Sequence, residues 1–403
     1  MKYLIIIPDG IGDQPNESLG GKTPLEVARI PNMSYFTKMG KLGTLKTVSD
    51  WFEASPHVAF ATLLGYEPKQ YLSGPGPLEA ANLEVKLEEN EVAFQMNFVT
   101  EAQGILADFT AGHITTRESK ALINFLNKKL ASDFVRFFPG NGYRHIAVIK
   151  DARGFKALSA SCPAPETFVG KSIEQNLPKG PGEDLIKKLI YDAKSLLQDH
   201  ELNQVRIDLG ENPANMIWLY GQGCMPNLPK FSSRFQSLNG ACISTNEAVK
   251  GFSRLIGLTV VELSSTHAFP DFDYEGQADL MLELAREKDF VCIHARACDE
   301  ASKAGDIKQK VLSLEAIDHY VIGAAKAFYE SEKDVRILIA PLLNTPTQLR
   351  TYTKESVPFI FAGKNVMRDE IEFVNEATAQ LSPLRFKEGW KLIDQLMSGK
   401  DLN

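Results

Sequence analysis

The sequence predicts an α/β fold: a three-layer, mostly parallel sheet of the kind covered by helices on both faces, interrupted by a smaller inserted α+β domain. Three observations predict it. The chain opens on an unbroken apolar run, Leu4 to Ile7, that stops on Pro8-Asp9-Gly10, and a β-branched run bounded by a turn suits a strand buried on both sides. Residues 1–68 and again 212–403 alternate strand-like and helix-like segments, which implies parallel strands joined by right-handed crossovers. Between them, residues 69–211 change character, with alternating strand candidates and Gly/Pro punctuation at Gly74-Pro75-Gly76-Pro77.

Each element has its own reason. Thr23 is placed to cap a short helix from Leu25 to Arg29, with Pro24 at its first position. A helix follows Pro31 and ends near Gly40, Gly43 to Val48 reads as a strand, and Trp51 to Leu64 reads as helix. In the insertion, Leu83–Leu87 and Val92–Val99 are strand candidates and Arg117 to Leu130 a helix. Phe134–Phe138 and Tyr143–Ile149 are expected to pair across Pro139-Gly140-Asn141-Gly142. A helix runs from Pro181 to about Asp199 with Leu185, Leu189, Ala193 and Leu196 on one face. The core is then expected to resume with strands at Met216–Tyr220, Gly240–Ile243, Thr259–Leu263, Phe290–His294, Val335–Ala340 and Val357–Phe361, separated by helices and closed by a C-terminal helix containing Trp390, Leu392 and Leu396.

Composition narrows the function classes. In 403 residues the apolar content is 44% and the net charge −7, and Lys and Arg are scattered, so neither nucleic acid nor an anionic membrane is an expected partner. Cys162, Cys224, Cys242, Cys292 and Cys298 lack paired metal-ligand spacing and read as reduced thiols of a cytoplasmic protein. No stretch approaches the roughly 20 apolar residues that span a bilayer, and Asp9 cuts the first run short of a signal peptide's core.

Sheets of this type place ligands at the carboxyl ends of their strands. Asp9 therefore reads either as a ligand for a metal ion or phosphate group, or as a capping residue in a strand-to-helix loop. Several further stretches, taken in order, decide the context: Leu19-Gly20-Gly21-Lys22-Thr23-Pro24-Leu25-Glu26, Pro31-Asn32-Met33, Leu64-Gly65-Tyr66, Gly76-Pro77-Leu78-Glu79-Ala80, Ala111-Gly112-His113-Ile114, Tyr143-Arg144-His145, Asn212 to Trp218, Gly221-Gln222-Gly223, Tyr274-Glu275-Gly276 and Asp299-Glu300-Ala301. With them the chain resembles the archaeal-type, cofactor-independent phosphoglycerate mutases, a branch of the alkaline phosphatase superfamily.

The resemblance implies a phosphatase-like core and a substrate-cap domain, a serine that is transiently phosphorylated, and two divalent cations that lower its pKa and neutralise the moving phosphoryl group. Transferred residue by residue, it assigns Asp9 and Asp299 to the metals. The remaining ligand positions carry Lys303, Leu342, Leu343 and Tyr352, and the nucleophile position carries Pro56, with Ser55 one residue early and His57 just after. Three arginine positions for substrate carry Pro75, Gln95 and Leu209, while His113, Arg144, His145, Arg206 and Lys250 survive as anion-binding candidates.

A leucine offers no lone pair to a metal, so the expectation is a degenerate member of the family, without two-metal phosphoryl transfer and without a cofactor, that acts as a binding or interaction protein, with a small phosphorylated carboxylate as the candidate ligand. Lys303, four residues after Asp299, is expected to act as a counter-ion for both Asp299 and Asp9. The alternative expectation is an active mutase or phosphohydrolase with Mn, Mg or Zn, in which Ser55 is the nucleophile and Asp9, His57, Asp299 and either His294 or His267 rebuild a metal site.

Overall fold

The computed structural model describes residues 1–151, 154–262 and 271–402. The chain divides into two compact units, Met1–Tyr71 with Leu228–Asn403, and Leu72–Asn227. The first unit contributes β1 (Lys2–Pro8) and β2 (Lys41–Leu45) before the insertion. The second holds β3 (Glu91–Ala102), β4 (Ile105–Asp108), β5 (Val135–Phe138), β6 (Arg144–Lys150) and β7 (Met216–Gly223). The first then resumes with β8 (Gly240–Ile243), β9 (Thr259–Val261), β10 (Phe290–Ala295), β11 (Val335–Ile339), β12 (Val357–Gly363) and β13 (Arg385–Phe386).

The core sheet has eight strands in the order β13-β2-β12-β11-β1-β10-β8-β9. Every pairing in it is parallel except those of β12, which runs against both β11 and β2. β1 sits inside, between β10 and β11, and from Leu4 to Ile7 it is at most 1% exposed. Leu4 and Ile6 belong to a core with Met33, Phe36, Met281, Leu314 and Val321; Ile5 and Ile7 point the other way and are equally buried. That is the two-sided burial that an unbroken apolar run requires.

The second unit has a five-stranded antiparallel sheet built on β3, which pairs with β6, β7 and β4, with β5 on the far side of β6. Helices Thr116–Leu130 and Glu183–Leu197 pack on it through Leu122, Ile123, Leu126, Ile186, Ile190 and Ala193. The β5–β6 hairpin forms as the turn residues predict.

Three expectations need correction. The second unit, expected to start at 69, starts at 72, and the core, expected to resume at 212, resumes at 228. Met216–Tyr220 does not rejoin the core sheet; it is part of β7 and pairs with β3, from Val99↔Met216 to Ala93↔Gly223. An apolar run states that a strand is buried, not which sheet buries it. Leu83–Leu87 is not a strand, because the chain there closes helix Gly76–Asn82: Glu84 is left-handed at φ 58 and Val85 N–H donates back to Ala80 O at 2.9 Å. One of the helices expected between the strands is a continuous run through Ile307–Ala316, a π-helical turn Ile317–Ile322, and Gly323–Ser331. The strand expected at Thr259–Leu263 is seen as β9 to Val261, and Leu263 lies outside the described residues. No described helix is long and apolar enough to cross a membrane.

The C-terminal segment is fastened by one buried cation. Arg336 on β11 is fully buried and donates to the carbonyls of Lys364, Gln395, Leu396 and Lys400, with its guanidinium over the Phe361 ring. Arg336→Met strands four acceptors at once, and since hydrogen bonds to a charged donor are worth about 1.5–3 kcal/mol each, a loss of roughly 3 kcal/mol or more is expected. Denaturant melts check the size, and early protease release of residues after Met397 checks the place.

Candidate functional site

β1 delivers Asp9 to the carboxyl edge of the core sheet, where its N–H donates to Ala295 O at 2.9 Å. Gly10 follows at φ 78, and a Cβ there would lie 2.5 Å from Asp299 Cα. Only glycine lets this loop press against helix Ala297–Ala304. Asp9 is fully buried. Its Oδ1 accepts from the backbone N–H groups of Leu342 and Leu343, each at 3.1 Å, and its Oδ2 lies 3.0 Å from His294 Nε2. The other ring nitrogen of His294 is 3.0 Å from Ser244 Oγ, which also accepts from Asn246 N–H.

Asp299, equally buried, is met from the solvent side. Its Oδ2 takes Lys303 Nζ at 2.9 Å and Tyr352 OH at 3.0 Å, with Arg296 Nη2 at 3.7 Å; its Oδ1 takes Thr345 Oγ1 at 3.1 Å. Burial pushes the Asp299 carboxyl up, but Lys303 and Arg296 outweigh it and hold the group below its usual range. Burial and the same carboxylate raise the Tyr352 phenol well above its ordinary value, so it stays a donor. Lys303 was expected to serve both aspartates; it forms no ion pair with Asp9, whose oxygens are already taken by His294 and the two amides.

A third acid belongs to the same edge. Asp13 accepts from Lys310 Nζ at 2.7 Å and from both the N–H and the hydroxyl of Thr347. Lys310 is fully buried and also donates to the carbonyls of Gly12 and Thr345. One segment, Leu342 to Thr347, thus touches all three carboxylates. Sequence reading missed Asp13, Ser244, Arg296, Lys310, Thr345 and Thr347. The available signal was local: Arg296 stands three residues before Asp299, and Lys310 interrupts the apolar face of a helix.

The pair of divalent cations that the resemblance implies does not fit this donor set. A metal needs lone pairs, and Asp9 Oδ1 faces two N–H groups, while Asp299 Oδ2 faces an ammonium, a phenol and a guanidinium. Leu342 and Leu343 are fully buried and bring no ligand atom. Among the described residues no three His, Cys, Asp or Glu side chains gather as a metal site. Ser55 stands at the N-cap position of helix Pro56–Leu63 without a side-chain capping bond; its Oγ donates to Glu53 O at 3.3 Å rather than to Asp9 or Asp299. His57 lies in that helix's first turn, and burial pushes it down to about 4. His267 lies outside the described residues.

In the second unit the anion-binding candidates separate. Successive side chains on β6 point to opposite faces, so Arg144 is exposed while His145 is 2% exposed in the interior. Arg144 lies over the Tyr143 ring at 5.4 Å, and the exposed His113 meets the same ring edge-on at 6.5 Å. Arg206 is buried, its donors spent on Asn212 O, Ala111 O, Glu118 and Glu211. It braces the loop that carries His113 and is not available to a ligand. Lys250, in the first unit, is likewise paired, with Glu247 and Glu262. At the positions where the resemblance implies arginine, Gln95 bonds Glu79, Pro75 precedes a helix, and Leu209 is 71% exposed.

His145 provides a pH test. Its Nδ1 accepts from Gly140 N–H at 3.0 Å and its Nε2 has no partner, and burial drives its pKa from 6.5 to about 3. The unfolded chain binds this proton first, so stability is intact above the unfolded value and is lost as pH falls from 6.5 toward 3. Two pH units inside that window amount to roughly 2–3 kcal/mol. His145→Gln is expected to flatten this slope, as read by denaturant melts between neutral pH and about pH 4.5.

Comparisons with known proteins agree with the geometry of the fold. Residues 37–203 match the family model described as 2,3-bisphosphoglycerate-independent phosphoglycerate mutase. A protein of that name from Methanothrix thermoacetophila is 37% identical over 400 residues, covering 99% of this chain and all of the relative. Another from Methanosarcina barkeri is 36% identical over 402 residues, with 99% and 100% covered. Among solved structures, a Pyrococcus horikoshii protein superposes with a TM-score of 0.80 at 23% identity, covering 99% of this chain and 97% of that one. The cofactor-independent phosphoglycerate mutase of Thermoplasma acidophilum superposes with a TM-score of 0.64 at 24% identity, covering 99% of each. Full-length identity at this level, on a mostly parallel sheet carrying an aspartate at the tip of its first strand, places the chain in the 2,3-bisphosphoglycerate-independent phosphoglycerate mutase family.

Proposed function

We propose that this member of the family binds a phosphorylated carboxylate and does not pass a phosphoryl group through a two-metal site. One observation carries the reading: Asp9 and Asp299 each already accept three hydrogen bonds from within the chain, from His294 and two leucine amides on one side and from Lys303, Tyr352 and Thr345 on the other. Phosphoryl transfer of the family's kind needs cations to spread the charge of the moving group and a nucleophile beside them, and the Ser55 hydroxyl donates to Glu53 O, not to either aspartate. The binding half of the reading rests on Arg144 and His113, both exposed and both set against Tyr143. A guanidinium recognises phosphate or carboxylate through paired N–H groups.

A second reading, an active mutase interconverting 3-phosphoglycerate and 2-phosphoglycerate, is favoured by the names of relatives that match over their whole length. A mutase assay with added manganese, magnesium or zinc separates the two. The proposal expects no turnover, and turnover abolished by Ser55→Ala would replace it with the second reading. Calorimetry with 3-phosphoglycerate tests the binding half: heat is expected with the native chain, and Arg144→Ala is expected to weaken binding about 10- to 100-fold. Absence of heat at millimolar ligand removes that ligand.

A further inference from the structure

We propose that the chain's own cations close the carboxyl edge of the core sheet against divalent metal, with Lys303 and Tyr352 as the outer plug. The inference does not depend on ligand binding in the second unit and concerns only what occupies the space between these acids.

Three buried carboxylates, Asp9, Asp13 and Asp299, lie along one edge. Lys310 matches Asp13 at 2.7 Å, Lys303 matches Asp299 at 2.9 Å, and Arg296, shared with Glu300 at 3.1 Å, stands 3.7 Å from Asp299. Asp9 takes three hydrogen bonds instead, from the His294 ring and the amides of Leu342 and Leu343. A divalent ion placed here would add two positive charges to a cluster already near balance. It would also have to expel an ammonium from a carboxylate that is out of water, where pairing is strong.

Position then identifies the plug. Lys310 is 0% exposed, whereas the Lys303 side chain is 37% exposed and packs over the Tyr352 ring at 4.1 Å. Lys303 and Tyr352 both end on Asp299 Oδ2. They are therefore the groups that stand between this carboxylate and solvent, and replacing both with histidine puts imidazole nitrogens where a cation and a phenol now lie. An aspartate and a histidine four residues apart share one helix face, which is a workable start for a metal site.

The test measures metal and stability on the full-length chain. Protein dialysed against EDTA and then exposed to manganese is analysed for bound metal and for thermal unfolding. The native chain is expected to retain no stoichiometric manganese and to show no shift in Tm. The double variant Lys303→His with Tyr352→His is expected to retain manganese and to gain stability on adding it, since an ion at about 100 times its Kd shifts the folding equilibrium about 100-fold. Stoichiometric manganese on the native chain together with a raised Tm would overturn the inference. So would a folded double variant that gains neither metal nor stability, because Lys303 and Tyr352 would then not be what keeps metal out. Should the double variant not fold, Lys303→His alone takes its place with the same two expected results.

Discussion

The carboxyl edge of the core sheet depends on how three buried carboxylates are satisfied. An ionised carboxylate taken out of water costs several kcal/mol unless its lone pairs are met, and Asp9, Asp13 and Asp299 are all met in part by one short segment. Leu342 and Leu343 give backbone N–H groups to Asp9, Thr345 gives its hydroxyl to Asp299, and Thr347 gives both kinds of donor to Asp13. The segment is in turn tied back by Lys310 to Thr345 O and by Thr47 to Leu342 O. Strand β1, helix Ala297–Ala304 and the loop after β11 are tied to one another by this set of bonds. A leucine side chain is inert toward a carboxylate, but its amide is not, so two apolar residues can stand beside Asp9 without leaving it unpaired.

Family membership and the chemistry of the edge are different kinds of statement. Identity of 36–37% over the full chain shows the family. A shared fold does not by itself carry an activity, which lives in the site. Here the groups facing the acids are donors, and that is a local fact about five or six side chains that a whole-chain identity averages away.

Much of this was legible in the sequence. Apolar runs announced β1, β10 and β11 because parallel strands buried on both faces have no alternation to conceal them, and the Pro139–Gly142 turn announced the β5–β6 hairpin. The partner of a strand was not legible: Met216–Tyr220 looks like a core strand and pairs with β3. At the edge, Asp9, Asp299 and Lys303 were readable as a set, but the second half of the Lys303 expectation failed because His294 and two amides reached Asp9 first. Backbone donors leave no trace in side-chain identity. Lys310 was hidden for a related reason. A lysine in an amphipathic helix normally reads as solvent-facing, and its burial becomes visible only when Asp13 and two carbonyls are seen around it.

Adjacent residues in the second unit show why binding and transfer can part company. On β6 the pleat turns Arg144 out and His145 in, so the histidine fills a core site against Phe98 at 4.9 Å while the arginine lies over Tyr143, within the field of Glu79 and Glu166. His113 is held left-handed at φ 50 by a loop that Arg206 braces from below. None of these constraints uses an atom of Asp9, Asp13 or Asp299. The features that would hold an anion and the features that would move a phosphoryl group therefore rest on separate sets of bonds. The ammonium of Lys303 and the phenol of Tyr352 belong to one set, and the other set's geometry stands without them.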